Sequence, residues 1–202
     1  MKKTIIIVLV AILVLGIAIV GKGVSAYNHI IAAEEGVKTQ WAQVENTYQR
    51  RFDLIPNLVA SVQGEADFEK STLSAVVDAR SKMGGVVKVD GDMLGDEATM
   101  KRFQQTQATL GGALQRLMMV TENYPNLKSN QSFQELRVQL EGSENRIAVE
   151  RKRYNETVQA YNTYIRQFPN NIIAGLAGAG RKVAFAADAG ASTAPKVQFN
   201  TK

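Results

Sequence analysis

The sequence predicts an all-α protein, with an N-terminal transmembrane helix followed by an antiparallel bundle of about four long helices. Residues 5–20 form an unbroken apolar run. After it, apolar residues recur every three to four positions over most of the chain, and no convincing strand is present. Long helices joined by short polar connections favour an antiparallel helical bundle.

The apolar run at residues 5–20 (IIIVLVAILVLGIAIV) contains no charged residue, amide or proline. At the rise of a helix, roughly 17 to 20 such residues cross a hydrocarbon core of about 30 Å. A cleaved secretory signal is the alternative, because Lys2 and Lys3 precede the run and the small residues 24–26 follow it. The run exceeds the usual signal core of about 7 to 15 residues, so residues 1–26 are predicted to be a retained anchor in the lipid bilayer.

The charges beside the run predict its orientation. Lys2, Lys3 and the α-amino group outweigh Lys22 on the other side, and Glu34 and Glu35 soon follow. Under the positive-inside rule the N-terminus then lies in the cytoplasm and the large domain lies outside.

The composition excludes several kinds of site. The chain has no cysteine, which rules out disulfides, thiolate nucleophiles and cysteine metal ligands. Its one histidine, His29, directly follows the membrane segment, so a histidine-based catalytic relay or di-metal site lacks its residues. The net charge of +5 is modest and no nucleic-acid-binding motif accompanies it. We therefore predict no catalytic residue, no cofactor, no metal and no nucleic-acid partner.

The bundle is predicted to cover residues 27–169. Pro56 either begins a second helix, with Asp53 as its cap, or kinks an existing one, and Gly64 is a weak point further along. The glycine-rich residues 83–95 are predicted to form a surface loop. The last helix keeps a three-four rhythm over about five heptads, which is the spacing of a coiled coil. The predicted helices span residues 27–49, about 53–82, 96–122 and 131–167.

The C-terminal segment, residues 170–202, differs from the bundle. Residues 172–191 are mostly alanine, glycine and β-branched residues. Each glycine costs a helix roughly 1 kcal/mol relative to alanine, so an isolated helix here would be weak. Small residues let backbones approach closely, which suits a contact between subunits or with the membrane. A partly disordered tail is the alternative, and residues beyond Ser192 are expected to be disordered.

Two charged residues interrupt the apolar face of the last helix. Glu144 and Arg151 lie two turns apart on that face, and an unpaired buried charge is costly. Residues at the Pro56 turn are plausible partners. We interpret the group as an ion-pair network that fixes helix register, with a ligand-binding role as the alternative. The predicted cluster comprises Arg50, Arg51, Asp53, Pro56, Asn57, Glu144, Asn145, Arg151, Tyr154 and Asn155.

Four asparagines occupy helix positions where leucine or alanine would be better, namely Asn57, Asn145, Asn155 and Asn162. Their simplest interpretation is hydrogen bonding between helices. Trp41 lies well beyond the apolar run and is expected in the bundle core.

Three motifs resemble one family. Residues 50–59 (RRFDLIPNLV) are similar to the RR-x-DLIPNLV signature of the LemA family of bacterial membrane proteins. Residues 124–130 (YPNLKSN) and 140–148 (LEGSENRIA) resemble two further elements of that family, the second followed by paired Tyr-Asn steps. The resemblance covers about residues 27–169 and is not seen after Pro169.

The resemblance implies a single-pass anchor and an all-helical, bundle-like domain. With the orientation predicted above, the anchor is expected in the bacterial inner membrane and the bundle in the periplasm. It implies a poorly defined role in envelope upkeep, and a partner such as a membrane metalloprotease. No catalytic residues are established for the family. We therefore expect a non-enzymatic protein that self-associates, as a homo-oligomer, or scaffolds a partner in the cell envelope. The alternatives are a ligand-binding sensory or adaptor module, and a hydrolase that uses Glu144.

Overall fold

The computed structural model describes residues 2–65, 68–83 and 94–186. The helices are α1 (Lys2–Gln63), α2 (Lys70–Met83), α3 (Glu97–Thr121), α4 (Pro125–Ser129), α5 (Gln131–Arg166) and α6 (Asn170–Leu176). No strand occurs in these ranges, which confirms the all-α prediction. The predicted loop at residues 83–95 and the predicted disordered end lie almost wholly outside the described residues.

Helix α1 is one continuous helix of 62 residues. At 1.5 Å per residue it is about 93 Å long. Its first part is the apolar run, whose side chains are all exposed, and its second part is packed into the bundle. Within the described chain this is the one helix long and apolar enough to cross a membrane. The anchor therefore passes into the bundle without a linker.

Of the two interpretations of Pro56, a new helix that begins there is wrong, because Pro56 lies inside the existing helix α1. The proline is exposed, so its ring faces solvent. On the inward side, Ile55, Leu58 and Val62 are fully buried and hold the helix against the bundle. Helix α1 ends instead at Gln63, directly before Gly64, which was predicted to be a weak point. Helix α2 starts at Lys70.

The bundle consists of two antiparallel helix pairs. Helix α5 packs along α1, and α3 packs along α2. The core has two clusters: one near the membrane end, around Trp41, Phe103 and Tyr154, and a distal one around Leu58, Leu110 and Phe133. Trp41 is buried in the first cluster, as expected.

The helix starts follow local capping. The Asp96 side chain accepts hydrogen bonds from the backbone N–H groups of Ala98 and Thr99 at the start of α3. At the start of α5, the Asn130 side chain accepts one from the N–H of Phe133 at 3.1 Å. These caps explain why the predicted bounds of α3 and α5 agree with the structure to within a residue.

The described part of the C-terminal segment folds back on its own bundle. Helix α6 ends at Leu176, and Gly178, two residues later, has a φ of +68°. The N–H of Ala179 then donates to the carbonyl of Ala174 at 2.9 Å, and that of Gly178 to the carbonyl of Gly175 at 3.3 Å, which is a Schellman ending. Residues 179–186, here called the C-terminal strap, continue without helix or strand. The strap lies against α5 of the same chain, and the intersubunit or membrane contact expected for this segment stays a prediction.

Candidate functional site

Arg51 joins three helices from a buried position. Only 3 % of its side chain is exposed. Its Nη1 donates to Oε1 of Glu144 on α5 at 2.6 Å, and its Nη2 donates to the Gln107 side chain on α3. The guanidinium lies 5.2 Å from the ring centre of Tyr48, and its Nε has no partner among the described residues. One charged side chain on α1 therefore ties α3 and α5 together.

Glu144 lies at the rim of this site. It was expected on the packed face of α5, yet half of its side chain is exposed. The carboxylate of Glu144 is therefore partly hydrated while the guanidinium of Arg51 is buried. Most of the desolvation free energy of this ion pair therefore comes from Arg51. Beside the pair is a cavity of about 200 Å³, which Gln104, Gln107 and Arg151 also line. Its lining combines these charged and amide side chains with the apolar Ala108 and Ile147.

Arg151 connects this pair to the C-terminal strap. Its guanidinium lies 4.8 Å from the ring centre of Phe185, and its Nη2 donates to the carbonyl of Ala186 at 3.3 Å. The two charged residues of α5 were expected to pair with each other or with other helices. Glu144 does pair with Arg51 of the neighbouring helix α1, one of the partners proposed from the sequence, whereas Arg151 binds the strap.

Two asparagines of α5 hold the strap by its main chain. The Asn162 amide donates to the carbonyl of Lys182 at 2.8 Å and accepts from its N–H at 2.9 Å. Asn155 makes the same pair of bonds with Phe185, at 3.2 and 2.8 Å. These side chains were predicted to bond between helices, and the structure shows that they bind a non-helical segment instead.

Two tyrosines next to these asparagines add further bonds. The hydroxyl of Tyr154 donates to the carbonyl of Val183 and that of Tyr161 to the carbonyl of Gly180, both at 3.0 Å. Burial raises the pKa of Tyr154 strongly. Burial, and then the charge of Glu34, raise the pKa of Tyr161 to about 12. Both hydroxyls therefore stay protonated and remain donors at any physiological pH.

The strap has one apolar anchor and one ion pair. The Phe185 ring lies among the rings of Trp41, Phe103 and Tyr154, with centres 5.4 to 6.3 Å away. Lys182 donates to Glu34 of α1 at 2.7 Å. The N–H of Val183 donates to the carbonyl of Leu94, just before α3. The strap thus contacts α1, α5 and the start of α3 at once.

The structure divides the predicted cluster. Arg51, Glu144, Arg151, Tyr154 and Asn155 lie along one side of the bundle core and make the contacts above. The other members have exposed side chains and do not join them: Arg50, Asp53, Pro56, Asn57 and Asn145. Asp53, for example, accepts a hydrogen bond from Gln49 on the surface.

Sequence reasoning did not single out Gln107, Glu34 or Phe185. Gln107 could have been noticed as an amide on the apolar face of α3, between Phe103 and Leu110. The strap residues carried no such signal, because they bind largely through main-chain atoms. A Tyr-Asn step that recurs after seven residues was the available indication of the strap's binding site.

Comparison with known proteins gives the family. The family model described as "LemA family" matches residues 40–199, and so continues past Pro169, where no resemblance was seen. Magnetosome protein MamQ 1 of Paramagnetospirillum magneticum is 30 % identical over 171 residues, covering 75 % of this chain and 61 % of the relative. Protein LemA of Metamycoplasma hominis is 23 % identical over 147 residues, covering 73 % and 63 %. The chain spans about three fifths of the length of the curated relatives that it matches. It belongs to the LemA family.

Proposed function

We propose that this protein is a non-enzymatic, membrane-anchored component of the bacterial cell envelope that self-associates or scaffolds a partner. The observation that carries the proposal is the continuity of α1 from the apolar run into the bundle. Because no linker separates the two parts, the bundle is held at a fixed height and angle to the bilayer. A rigid projection of this kind suits a structural role better than a tethered enzyme, whose domain gains from free movement.

We further propose that α1 lies in the inner membrane, with the N-terminus in the cytoplasm and the bundle in the periplasm. The lysines at the N-terminus support this orientation. Retention of the anchor is supported by packing at its end. Cleavage after Ala26 would cut α1 at a buried residue and would separate Gly23 from Ile173 of α6.

The proposed partners are a second copy of this chain or another envelope membrane protein, such as a metalloprotease. The relatives support a membrane-associated helical protein. Those from Paramagnetospirillum magneticum and Magnetospirillum gryphiswaldense are named magnetosome proteins, which is compatible with a role at a membrane.

The first test is the particle mass of the full-length protein in mild detergent, by light scattering corrected for bound detergent. We expect a discrete multiple of the 22.1 kDa chain that persists on dilution. A monomer at every concentration would exclude self-association. A cysteine placed at Met119, an exposed site, would then report a partner by crosslinking in native membranes, since the chain has no other cysteine.

The cavity beside Arg51 favours one second candidate, a sensory or adaptor module that binds a small anionic ligand. Arg51 is a buried cation whose Nε has no partner among the described residues. A ligand carboxylate or phosphate would bind there in competition with Glu144. A thermal-shift screen of anionic metabolites, repeated with Arg151→Ala, tests this candidate. No stabilisation by any compound would count against it.

A further inference from the structure

Helix α6 lies beside the membrane end of α1. The side chain of Ile173 comes within 3.8 Å of the position that a Cβ on Gly23 would occupy. Between the two helices is an open, mainly apolar crevice of about 590 Å³, lined by residues that include Ile19, Lys22 and Ile172. Helix α6 is therefore level with residues 19–26 of α1, which directly continue the apolar run.

The length of the apolar run places this level at the edge of the bilayer. The run has 16 residues and spans about 24 Å, whereas the hydrocarbon core is about 30 Å thick. With Lys2 and Lys3 at the opposite surface, about four further residues, 21–24, are drawn to the boundary between acyl chains and headgroups. Gly23 lies within them, so the α6 residues packed against it lie at that boundary too.

The outer side of α6 is apolar and uncovered. Phe168 is 82 % exposed, Ile172 54 % and Leu176 83 %. Ile172 and Leu176 are four residues apart and so share one face of the helix, and Phe168 lies in the turn that enters it. The opposite side packs inward through Ile173 and Ala174. In water, three large exposed apolar side chains on so short a segment would be unfavourable.

We propose that Phe168, Ile172 and Leu176 form an apolar foot that is inserted into the bilayer at its interface, with membrane lipid as the occupant of the crevice. Lys22 borders the crevice, is exposed, and can reach a lipid phosphate while its stem lies along apolar groups. Arg166, the last residue of α5, adds a second exposed cation next to the foot. Together they suit anionic headgroups.

The foot gives the protein a second contact with the membrane besides the transmembrane helix. A single helix can rotate and tilt, whereas a helix with a lateral apolar foot has one preferred rotation. The foot therefore fixes the rotation of the bundle about the axis of α1, in addition to its height above the bilayer. This inference rests on the proposal that α1 spans the bilayer, and the test separates the two.

The test uses the full-length protein in vesicles of phosphatidylcholine and phosphatidylglycerol. Because the chain has no cysteine, a spin label can be attached to a single introduced one. The variants are Leu176→Cys for the foot, Leu13→Cys for the apolar run and Val138→Cys as an exposed apolar control on α5. Collision of each label with oxygen, which enters lipid, is compared with collision with a water-soluble nickel chelate.

We expect the ratio of oxygen to nickel collisions at position 176 to exceed that at position 138 by about threefold or more, and to fall below that at position 13. Equal ratios at 176 and 138 would overturn the foot while leaving the anchor intact. A low ratio at position 13 would overturn the anchor itself. A label at 176 that neither reagent reaches would mean that protein covers α6, which also contradicts the proposal.

Discussion

The side-chain amide of Asn162 on α5 donates a hydrogen bond to the main-chain carbonyl of Lys182 and accepts one from its N–H, as the backbone of a neighbouring β-strand would. Asn155 repeats this arrangement with Phe185. The two asparagines are seven residues apart on a helix, which is about 10.5 Å, and their partners are three residues apart. Three residues reach that distance only when nearly fully extended, at about 3.3 to 3.6 Å each. The heptad spacing on α5 therefore matches an extended strap that runs antiparallel to it.

Loss of one asparagine should free the strap without unfolding the bundle. In Asn162→Ala, two hydrogen bonds to Lys182 disappear, each contributing about 0.5 to 1.5 kcal/mol. We expect hydrogen exchange in residues 179–186 to become about tenfold faster or more, and exchange in the core of α5 to stay unchanged. Asn145→Ala, an exposed site on the same helix, is the control. Unchanged exchange in the strap would show that Asn162 does not hold it.

Most of the fold could be predicted because its signals are local. Apolar periodicity and the glycine- and proline-containing breaks between periodic segments predicted α3 and α5, and an uncharged run predicted the anchor. Pro56 misled the prediction because a proline on the solvent side can be kept inside a helix that tertiary packing holds in place. Burial of Ile55, Leu58 and Val62 on the inward side holds α1 together across Pro56. The same three apolar residues would also fit a new helix that begins at Pro56, so the sequence did not distinguish the two.

The candidate site was harder to predict than the fold. The spacing of Glu144 and Arg151 indicated charges on the bundle face and led to the Pro56 region as a partner, which Arg51 confirms for Glu144, but it did not indicate that Arg151 binds the strap. Arg50 and Arg51 are adjacent in sequence but lie on different sides of α1, so that Arg51 is buried and Arg50 is exposed. The strap could not be predicted at all from its own residues, since a segment bound through its main chain needs little side-chain pattern.

Removal of the Glu144 carboxylate should be costly because it leaves a buried guanidinium without its counter-charge. We expect Glu144→Ala to lower the free energy of unfolding by about 1 to 3 kcal/mol. Glu141→Ala is the matched control, since Glu141 pairs with Arg137 at 3.1 Å on the surface and such pairs contribute about 0 to 1 kcal/mol. Urea unfolding followed by the fluorescence of Trp41, the single buried tryptophan, measures both. Equal losses would mean that Arg51 is adequately solvated without Glu144.

Phe185 should make the main apolar contact that holds the strap on the bundle. Its ring is buried among three aromatic residues, so Phe185→Ala leaves a cavity and should cost about 3 to 5 kcal/mol if the strap stays in place. A smaller loss, with a red shift of Trp41 emission, would indicate that the strap leaves and water enters. Met119→Ala, at an exposed site on α3, should change neither quantity. A variant with native stability and native emission would contradict the packing role of Phe185.

Tyr154 and Tyr161, the two tyrosines of α5 that bind the strap, should make its attachment sensitive to alkaline pH. The pKa of Tyr161 is raised to about 12, above the value of about 10 expected in an unfolded chain. The folded state therefore disfavours the phenolate, and its contribution to stability is complete below about pH 10 and falls as the pH rises to about 12. Ionisation also removes the proton that Tyr161 donates to Gly180. Absorbance at tyrosinate wavelengths, compared between the native protein and Tyr161→Phe, measures this late ionisation. If the substitution removes only a tyrosine that ionises near pH 10, then Tyr161 is not buried against the strap in solution.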